Sequence, residues 1–275
     1  MKLAVVLRAI AIVVAQSLVA GTLFTAPLQT AFAQAMDMEP FLTFYKDPRP
    51  ERLNGFFERY AAAATDWNAF PPTVGFYAVV FRKYPDWIER LIPARLNARS
   101  ADTVDVALKF AGNEDARKKL KPRLDEVGHD PSLQVELADL PSQLADIRVM
   151  RPTHLDICWG AFFASGDERY VRMIIEFMAQ TANRSEPVAI DIVAIVLAIT
   201  GGPREILGQL KPKYGDEPAR EMVFAATAAW ALADNSRNHE KVARAMDTYV
   251  SGHPGTPASK LLSVLLRRPA GAPKR

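Results

Sequence analysis

WGAFFASGDERYV, residues 159–171, gives the clearest indication of how this chain folds. Its first half is a run of aromatic and small residues, which ends at Ser165–Gly166. Asp167 and Glu168 follow, and the apolar pattern then resumes at Tyr170. A glycine after the last apolar residue, followed by acidic residues, is typical of one helix that ends and another that begins. The stretch therefore predicts a helical hairpin.

Other segments share this form. Trp230–Val242 spans the same interval and is interrupted at Asn235–Ser236, while Ala194–Ile206 is interrupted at Gly201–Gly202. The three segments start 35 and 36 residues apart. Phe76–Ile88 is a more distant copy. A helical hairpin cannot bury its apolar face alone, so we expect these hairpins to stack.

The spacing resembles that of tetratricopeptide-like solenoids, whose repeats are about 34 residues long, over roughly residues 153–266. Most side chains of their consensus are missing. The resemblance implies stacked hairpins with an extended concave surface for peptides or proteins. The alternative is an irregular helical bundle whose hairpins have similar lengths. Both readings give an all-α fold of stacked antiparallel helical hairpins, either α-solenoid-like or an irregular bundle.

Helical periodicity extends to other parts of the chain. Apolar residues recur at i, i+3, i+4 and i+7, which marks one buried stripe of a helix. Three sets show it: Leu53, Phe56, Phe57 and Tyr60; Val171, Ile174, Ile175 and Met178; Val242, Ala245, Met246 and Tyr249. Leu133–Leu137 alternates like a strand, but it is short, and a single hairpin there stays open.

Helix starts follow from capping patterns. Thr153, with Asp156 three positions later, has the form of a capping box. Thr256–Pro257 places a capping residue before a proline at the first helical position. Ile190–Leu197 is apolar apart from Asp191, so we expect a central helix there. The small residues of the 159–167 segment allow a close approach between helices.

The N-terminus has the order of a secretory signal peptide. Lys2 and Arg8 supply a basic region, Ala9–Phe24 is almost entirely apolar, and Ala31–Phe32–Ala33 has the form of a cleavage site. We expect cleavage after Ala33 and an exported protein, periplasmic or secreted. The expected organisation is a signal peptide (1–33), an N-terminal helical region (34–120), a proline-interrupted connector (121–152), a C-terminal hairpin stack (153–266) and a flexible tail (267–275).

Composition narrows the function classes. Without Lys2 and Arg8, 32 basic residues stand against 31 acidic ones, which is not the profile of a nucleic-acid-binding protein. The basic residues of 117–123 are flanked by acids, as on a solvated helix face. Cys158 is the single cysteine, so the chain forms no internal disulfide. We expect no transmembrane segment after the signal is removed, because no remaining apolar run is long enough.

Few residues have the pattern of a site. His154 and Cys158 are four apart and share a helix face, but a zinc site needs further ligands, so we interpret Cys158 as buried packing. Asp191 lies in an apolar run and would either be paired structurally or bind a ligand cation. His154, Asp191 and His239 are the candidates for a catalytic site built from residues of separate helices. Asp66 and Trp67 give a mixed polar and aromatic surface beside a proline-rich turn.

No phosphate loop, nucleophile elbow or metal motif occurs in the sequence, and no cofactor is predicted. These features favour an exported, non-enzymatic helical binding or scaffold protein with a protein or peptide partner. Two alternatives stay open: a small-ligand-binding accessory protein of the cell envelope, and an enzyme whose site is built from His154, Asp191 and His239.

Overall fold

The computed structural model describes residues 37–63, 70–131, 139–199 and 205–266. Within these ranges the chain forms thirteen α-helices and no strand, which confirms the predicted all-α class. The expected signal peptide, the alternating segment at 133–137, the interruption at 201–202 and the C-terminal tail lie outside the described residues.

The chain divides into two compact units between Tyr170 and Val171. The N-terminal unit contains α1 (Glu39–Leu42), α2 (Phe56–Ala63), α3 (Pro71–Lys83), α4 (Ile88–Leu91), α5 (Ala98–Ala111), α6 (Glu114–Val127) and α7 (Pro152–Ser165). Short 3₁₀ helices occupy Phe44–Lys46, Pro50–Leu53, Pro85–Trp87 and Leu144–Asp146. The C-terminal unit contains α8 (Glu168–Ala182, which begins just before the division), α9 (Glu186–Ile199), α10 (Glu205–Tyr214), α11 (Asp216–Ser236), α12 (Glu240–Gly252) and α13 (Pro257–Leu266).

This division differs from the segments that the sequence suggested. Helix α7 falls in the expected C-terminal stack, yet it packs on α3 within the N-terminal unit. The two helices of the 159–171 segment therefore belong mainly to different units, although Gly166 ends α7 in the left-handed conformation with φ 64°. Helix α6 continues through Pro122, so the first residues of the expected connector are helical.

Helices α3 and α7 form the centre of the N-terminal unit, and they cross at two glycines. A Cβ built on Gly75 would lie 1.9 Å from the carbonyl oxygen of Ile157. A Cβ built on Gly160 would lie 1.8 Å from the carbonyl oxygen of Pro72. Since no side chain fits between the two backbones, only glycine permits this crossing. The predicted close helix approach in the 159–167 segment is confirmed at Gly160.

An aromatic core surrounds the crossing. Phe41 stacks on Phe76 with ring centroids 4.3 Å apart, and Trp159 stacks on Phe163 at 5.8 Å. Helix α5 packs on α3, and α6 packs on α5. Burial of these large aromatic side chains stabilises the unit.

The C-terminal unit is built around three helices that contact one another, α9, α11 and α13. Helices α10 and α12 connect them and pack on α11. In an open solenoid each hairpin contacts only its neighbours. In the hairpins that the sequence predicts, α9 pairs with α10 and α11 pairs with α12, so the contact between α9 and α13 passes over the hairpin between them. That contact is expected for a bundle, the other architecture that the sequence left open.

Two of the three predicted stripes are observed only in part. Val171, Ile174, Ile175 and Met178 are all buried in α8. Phe56, Phe57 and Tyr60 are buried in α2, but Leu53, also buried, belongs to the preceding 3₁₀ helix. In α12, Val242, Ala245 and Met246 are buried, whereas Tyr249 is half-buried. At the start of α13, the Thr256 hydroxyl accepts a hydrogen bond from the Ser259 amide at 3.2 Å, which confirms the predicted cap. The capping box predicted at Thr153 is wrong, because α7 begins at Pro152 and Arg151 is its N-terminal flanking residue.

Candidate functional site

Helix α7 carries buried polar residues in its first two turns. Thr153, His154 and Asp156 are each about 95% buried, and Cys158 is fully buried. The Asp156 carboxylate lies inside the unit. The Nδ1 atom of His154 accepts a hydrogen bond from the Met150 amide at 3.4 Å, which ties the start of α7 to the preceding loop.

The Cys158 thiol is unreactive in this position. Burial, together with the nearby Asp156 charge, raises its pKa to about 12. Only the thiolate is a nucleophile or a strong metal ligand, so a thiol with this pKa does neither at neutral pH. The structure agrees with the interpretation of Cys158 as buried packing. No group of three or more potential metal-ligating side chains occurs among the residues that the structure describes.

Two tyrosines of the same core share this environment. Burial and the Asp156 charge raise the pKa of Tyr60, and burial raises the pKa of Tyr77 well above its usual value. The Tyr77 hydroxyl has no hydrogen-bond partner among the described residues. Both phenols therefore stay neutral, and neither can act as a base near neutral pH.

Asp191 is held by its own unit. Its Oδ2 atom accepts hydrogen bonds from Lys213 Nζ at 2.7 Å and from the Tyr214 hydroxyl at 2.8 Å, both in α10. The bond to the carboxylate raises the pKa of Lys213. Asp191, which the sequence suggested could bind a ligand cation, thus pairs with Lys213 instead. This ion pair links α9 to α10. This contact favours the structural reading of Asp191.

The remaining candidates from the sequence lie in different parts of the structure. His239 is buried in the C-terminal unit and immediately precedes α12, whereas His154 is buried in the N-terminal unit. The proposed catalytic set of His154, Asp191 and His239 is therefore divided between two compact units. Asp66 and Trp67 lie outside the described residues.

The basic run on α6 contacts carboxylates of the same unit. Arg117 makes two hydrogen bonds to Asp105, at 2.7 Å and 2.9 Å, and Lys121 pairs with Asp125 at 2.9 Å. Lys119 pairs with Glu89. These contacts fit the interpretation of the run as a solvated helix face.

Sequence reasoning missed a histidine–carboxylate pair between α5 and the segment after α6. The His129 Nδ1 atom lies 2.6 Å from Asp102 Oδ1, and the Asp130 amide donates to Asp102 Oδ2 at 2.9 Å. Asp102 is buried, whereas the His129 side chain is half-exposed. The only sequence signal was Asp102, an acidic residue among the small and apolar residues 100–104. That signal does not identify a partner 27 residues away.

The second missed feature is an exposed apolar face on α9. The helix is central to its unit, as expected, but it is not buried on all sides, since Ile190 is 62% exposed and Leu197 is 57% exposed. Val193 and Ala194 lie between them on the same face and are partly exposed. The spacing 190, 193, 194 and 197 places all four on one stripe about two turns long.

Val264 on α13 extends this face and is 51% exposed. Lys260 of α13 pairs with Glu186 of α9 at 2.7 Å, and Asn183 accepts a hydrogen bond from the Ala258 amide just before it. Both contacts lie near the starts of the two helices, which pack on each other. Val264 follows Lys260 by one turn, as Ile190 follows Glu186. We call Ile190, Val193, Ala194, Leu197 and Val264 the α9–α13 face.

No helix of the described residues is both long and apolar enough to cross a membrane. No family model matches the chain, and no curated protein or solved structure shows significant similarity to it. Function therefore has to be argued from the geometry of the described residues.

Proposed function

We propose that this chain is an exported, non-enzymatic helical binding or scaffold protein whose C-terminal unit docks an amphipathic helix of a protein partner on the α9–α13 face. The observation that carries the proposal is the exposure of Ile190, Leu197 and Val264 on two adjacent helices. A cluster of exposed large apolar side chains is characteristic of an interaction surface, whereas single exposed ones need no explanation.

The charges around this face support a protein helix over a lipid surface or a nucleic acid. Glu186 pairs with Lys260 across the two helices, and Asp191 pairs with Lys213 beside them. Each of these two pairs matches opposite charges. Anionic membranes and nucleic acids are bound by clusters of unmatched basic residues. An apolar stripe flanked by paired charges suits the apolar face of another helix.

The shape and size of the face indicate what kind of helix would bind. Ala194 lies at the middle of the stripe, where a small side chain allows another helix to approach closely between Ile190 and Leu197. A stable interface buries roughly 800 Å² on each partner, more than a few half-exposed side chains supply. We therefore expect a short helical segment bound reversibly, rather than a permanent dimer formed through this face alone.

The test compares variants of the mature chain, residues 34–275. Leu197→Glu places a charge in the stripe, and Met150→Glu is the matched control because Met150 is 67% exposed in the N-terminal unit. Both variants should fold, since the substituted side chains are largely in water. A partner captured from envelope extract by the native chain should be captured equally by Met150→Glu and lost with Leu197→Glu.

The captured protein is then purified, and its affinity for the three chains is measured by calorimetry. We expect at least a tenfold weaker affinity for Leu197→Glu, because the charge loses its water when the partner helix binds. Equal affinity for all three folded chains would refute docking on the α9–α13 face.

A further inference from the structure

We propose that His129 and Asp102 form a proton-dependent latch that fastens the chain segment after α6 to α5. The latch is closed most firmly when the His129 imidazole is protonated, and it loosens as the pH rises. This device belongs to the N-terminal unit and does not depend on the proposed function of the α9–α13 face.

Three hydrogen bonds hold residues 129–130 against α5. Both oxygens of Asp102 are used, one by His129 Nδ1 at 2.6 Å and the other by the Asp130 amide at 2.9 Å. Arg99, one turn earlier on α5, donates from Nε to Asp130 Oδ2 at 2.7 Å. Gly128 ends α6 with φ 81°, which turns the chain toward α5. The segment leaving α6 is therefore attached to α5 through Arg99 and Asp102.

The Asp102 carboxylate is the fixed half of the latch. It is buried on α5, where a negative charge is costly unless it is paired and hydrogen-bonded. A protonated imidazole at 2.6 Å supplies a positive charge and a charge-assisted hydrogen bond. When the imidazole loses its proton, Nδ1–H can still donate, but the positive charge that faces Asp102 is gone. The bond is weakened and does not disappear.

The charges around His129 are of both signs, and the carboxylates prevail. The hydrogen bond and the charge of Asp102 raise the pKa of His129 above its ordinary value, and the charges of Asp125 of α6 and Asp105 of α5 add to this effect. Arg99 is the cation on α5 that faces the same segment, through Asp130. Lys121 neutralises part of the Asp125 charge. Asp102 remains the largest contributor because its bond to His129 is direct.

The sign of the pH dependence follows from linkage. Because the pKa of His129 is raised on folding, the folded chain holds the proton more tightly than the unfolded chain. The latch therefore contributes fully below the ordinary histidine pKa of about 6.5. Its contribution falls as the pH rises through the raised value in the folded chain.

The test measures hydrogen exchange of the Asp130 amide, which donates to Asp102, in the full chain at pH 5.5 and pH 8.5. Protection is corrected for the intrinsic pH dependence of exchange. We expect roughly threefold less protection at the higher pH. A charge-assisted hydrogen bond is stronger than a neutral one, and solvent screening at this half-exposed site leaves only part of that difference. His129→Gln keeps a donor that does not titrate, so its protection should not depend on pH.

His253→Gln is the matched control, because His253 is an exposed histidine of the C-terminal unit, stacked on Tyr249. This variant should keep the pH dependence of the native chain. An equal pH dependence in the native chain and His129→Gln would overturn the latch. So would a measured pKa of the His129 ring at or below the ordinary histidine value of about 6.5.

Discussion

The crossing of α3 and α7 makes a quantitative prediction about Gly160. In Gly160→Ala the new Cβ would start 1.8 Å from the Pro72 carbonyl oxygen and 2.9 Å from the Phe76 amide nitrogen. Ordinary contact begins near 3.4 Å, so the helices must separate by about 1.6 Å. The obstacles are backbone atoms, which cannot rotate away as a side chain could. The two helices therefore have to move apart and disturb the aromatic core around the crossing.

The expected cost follows from two opposing effects. Overpacking a tight core costs about 1–3 kcal/mol and sometimes more, whereas replacing glycine by alanine in a helix gains at most about 1 kcal/mol. Because backbone blocks the new methyl group on the α3 side, we place the overpacking cost of Gly160→Ala at the upper end, about 3 kcal/mol, which leaves a net loss of about 2 kcal/mol. Gly75→Ala should behave alike, since its Cβ would meet the Ile157 carbonyl at 1.9 Å.

Gly208→Ala is the matched control. Gly208 lies inside α10, and nothing lies within 4 Å of its Cβ position. The same substitution there should stabilise the chain by up to about 1 kcal/mol. Urea unfolding followed by hydrogen-exchange mass spectrometry reads the two units separately. A Gly160→Ala chain whose N-terminal unit unfolds at the native urea concentration, or above it, would refute the reasoning about the crossing.

Two further predictions concern buried groups of the N-terminal unit. Cys158 should not react with a disulfide reagent at pH 8 in the native chain, because its pKa of about 12 leaves almost no thiolate. It should react fully in urea, and rapid labelling of the native chain would contradict its burial. Tyr77→Phe removes a buried hydroxyl that has no hydrogen-bond partner among the described residues, so urea unfolding should show no loss of stability and up to about 1 kcal/mol of gain. A loss above about 1 kcal/mol would mean that the hydroxyl makes a stabilising contact.

The helical class was predictable because each buried stripe follows the period of an α-helix. Val171, Ile174, Ile175 and Met178 recur at that period, and all four are buried. The need for small residues in the 159–167 segment was also visible in the sequence. The identity of the facing glycine was not, since Gly75 lies 85 positions before Gly160 and no local pattern links them.

The α9–α13 face was missed for a different reason. Ile190–Leu197 is apolar apart from Asp191, so the segment has no polar side that would distinguish a buried face from an exposed one. The sequence indicated that Asp191 needs a partner, but its partners, Lys213 and Tyr214, come from the next helix. Contacts of this kind depend on tertiary packing, which periodicity does not encode.

The histidine–carboxylate pair was hidden in the same way. Asp102 is one of several polar residues within α5, and His129 follows a glycine at the end of α6. Neither residue has a local sequence pattern that predicts the pair. Only the antiparallel packing of α5 on α6 brings the imidazole to the buried carboxylate.

The most direct test of partner docking on the α9–α13 face is photo-crosslinking in the living cell. The photoreactive residue p-benzoyl-phenylalanine is introduced in place of Leu197 and, in a separate chain, in place of Met150. Both positions are exposed, but only Leu197 belongs to the α9–α13 face. We predict one defined protein adduct from position 197 and none of that mass from position 150. No adduct from position 197, or the same adduct from both positions, would contradict the proposed docking surface.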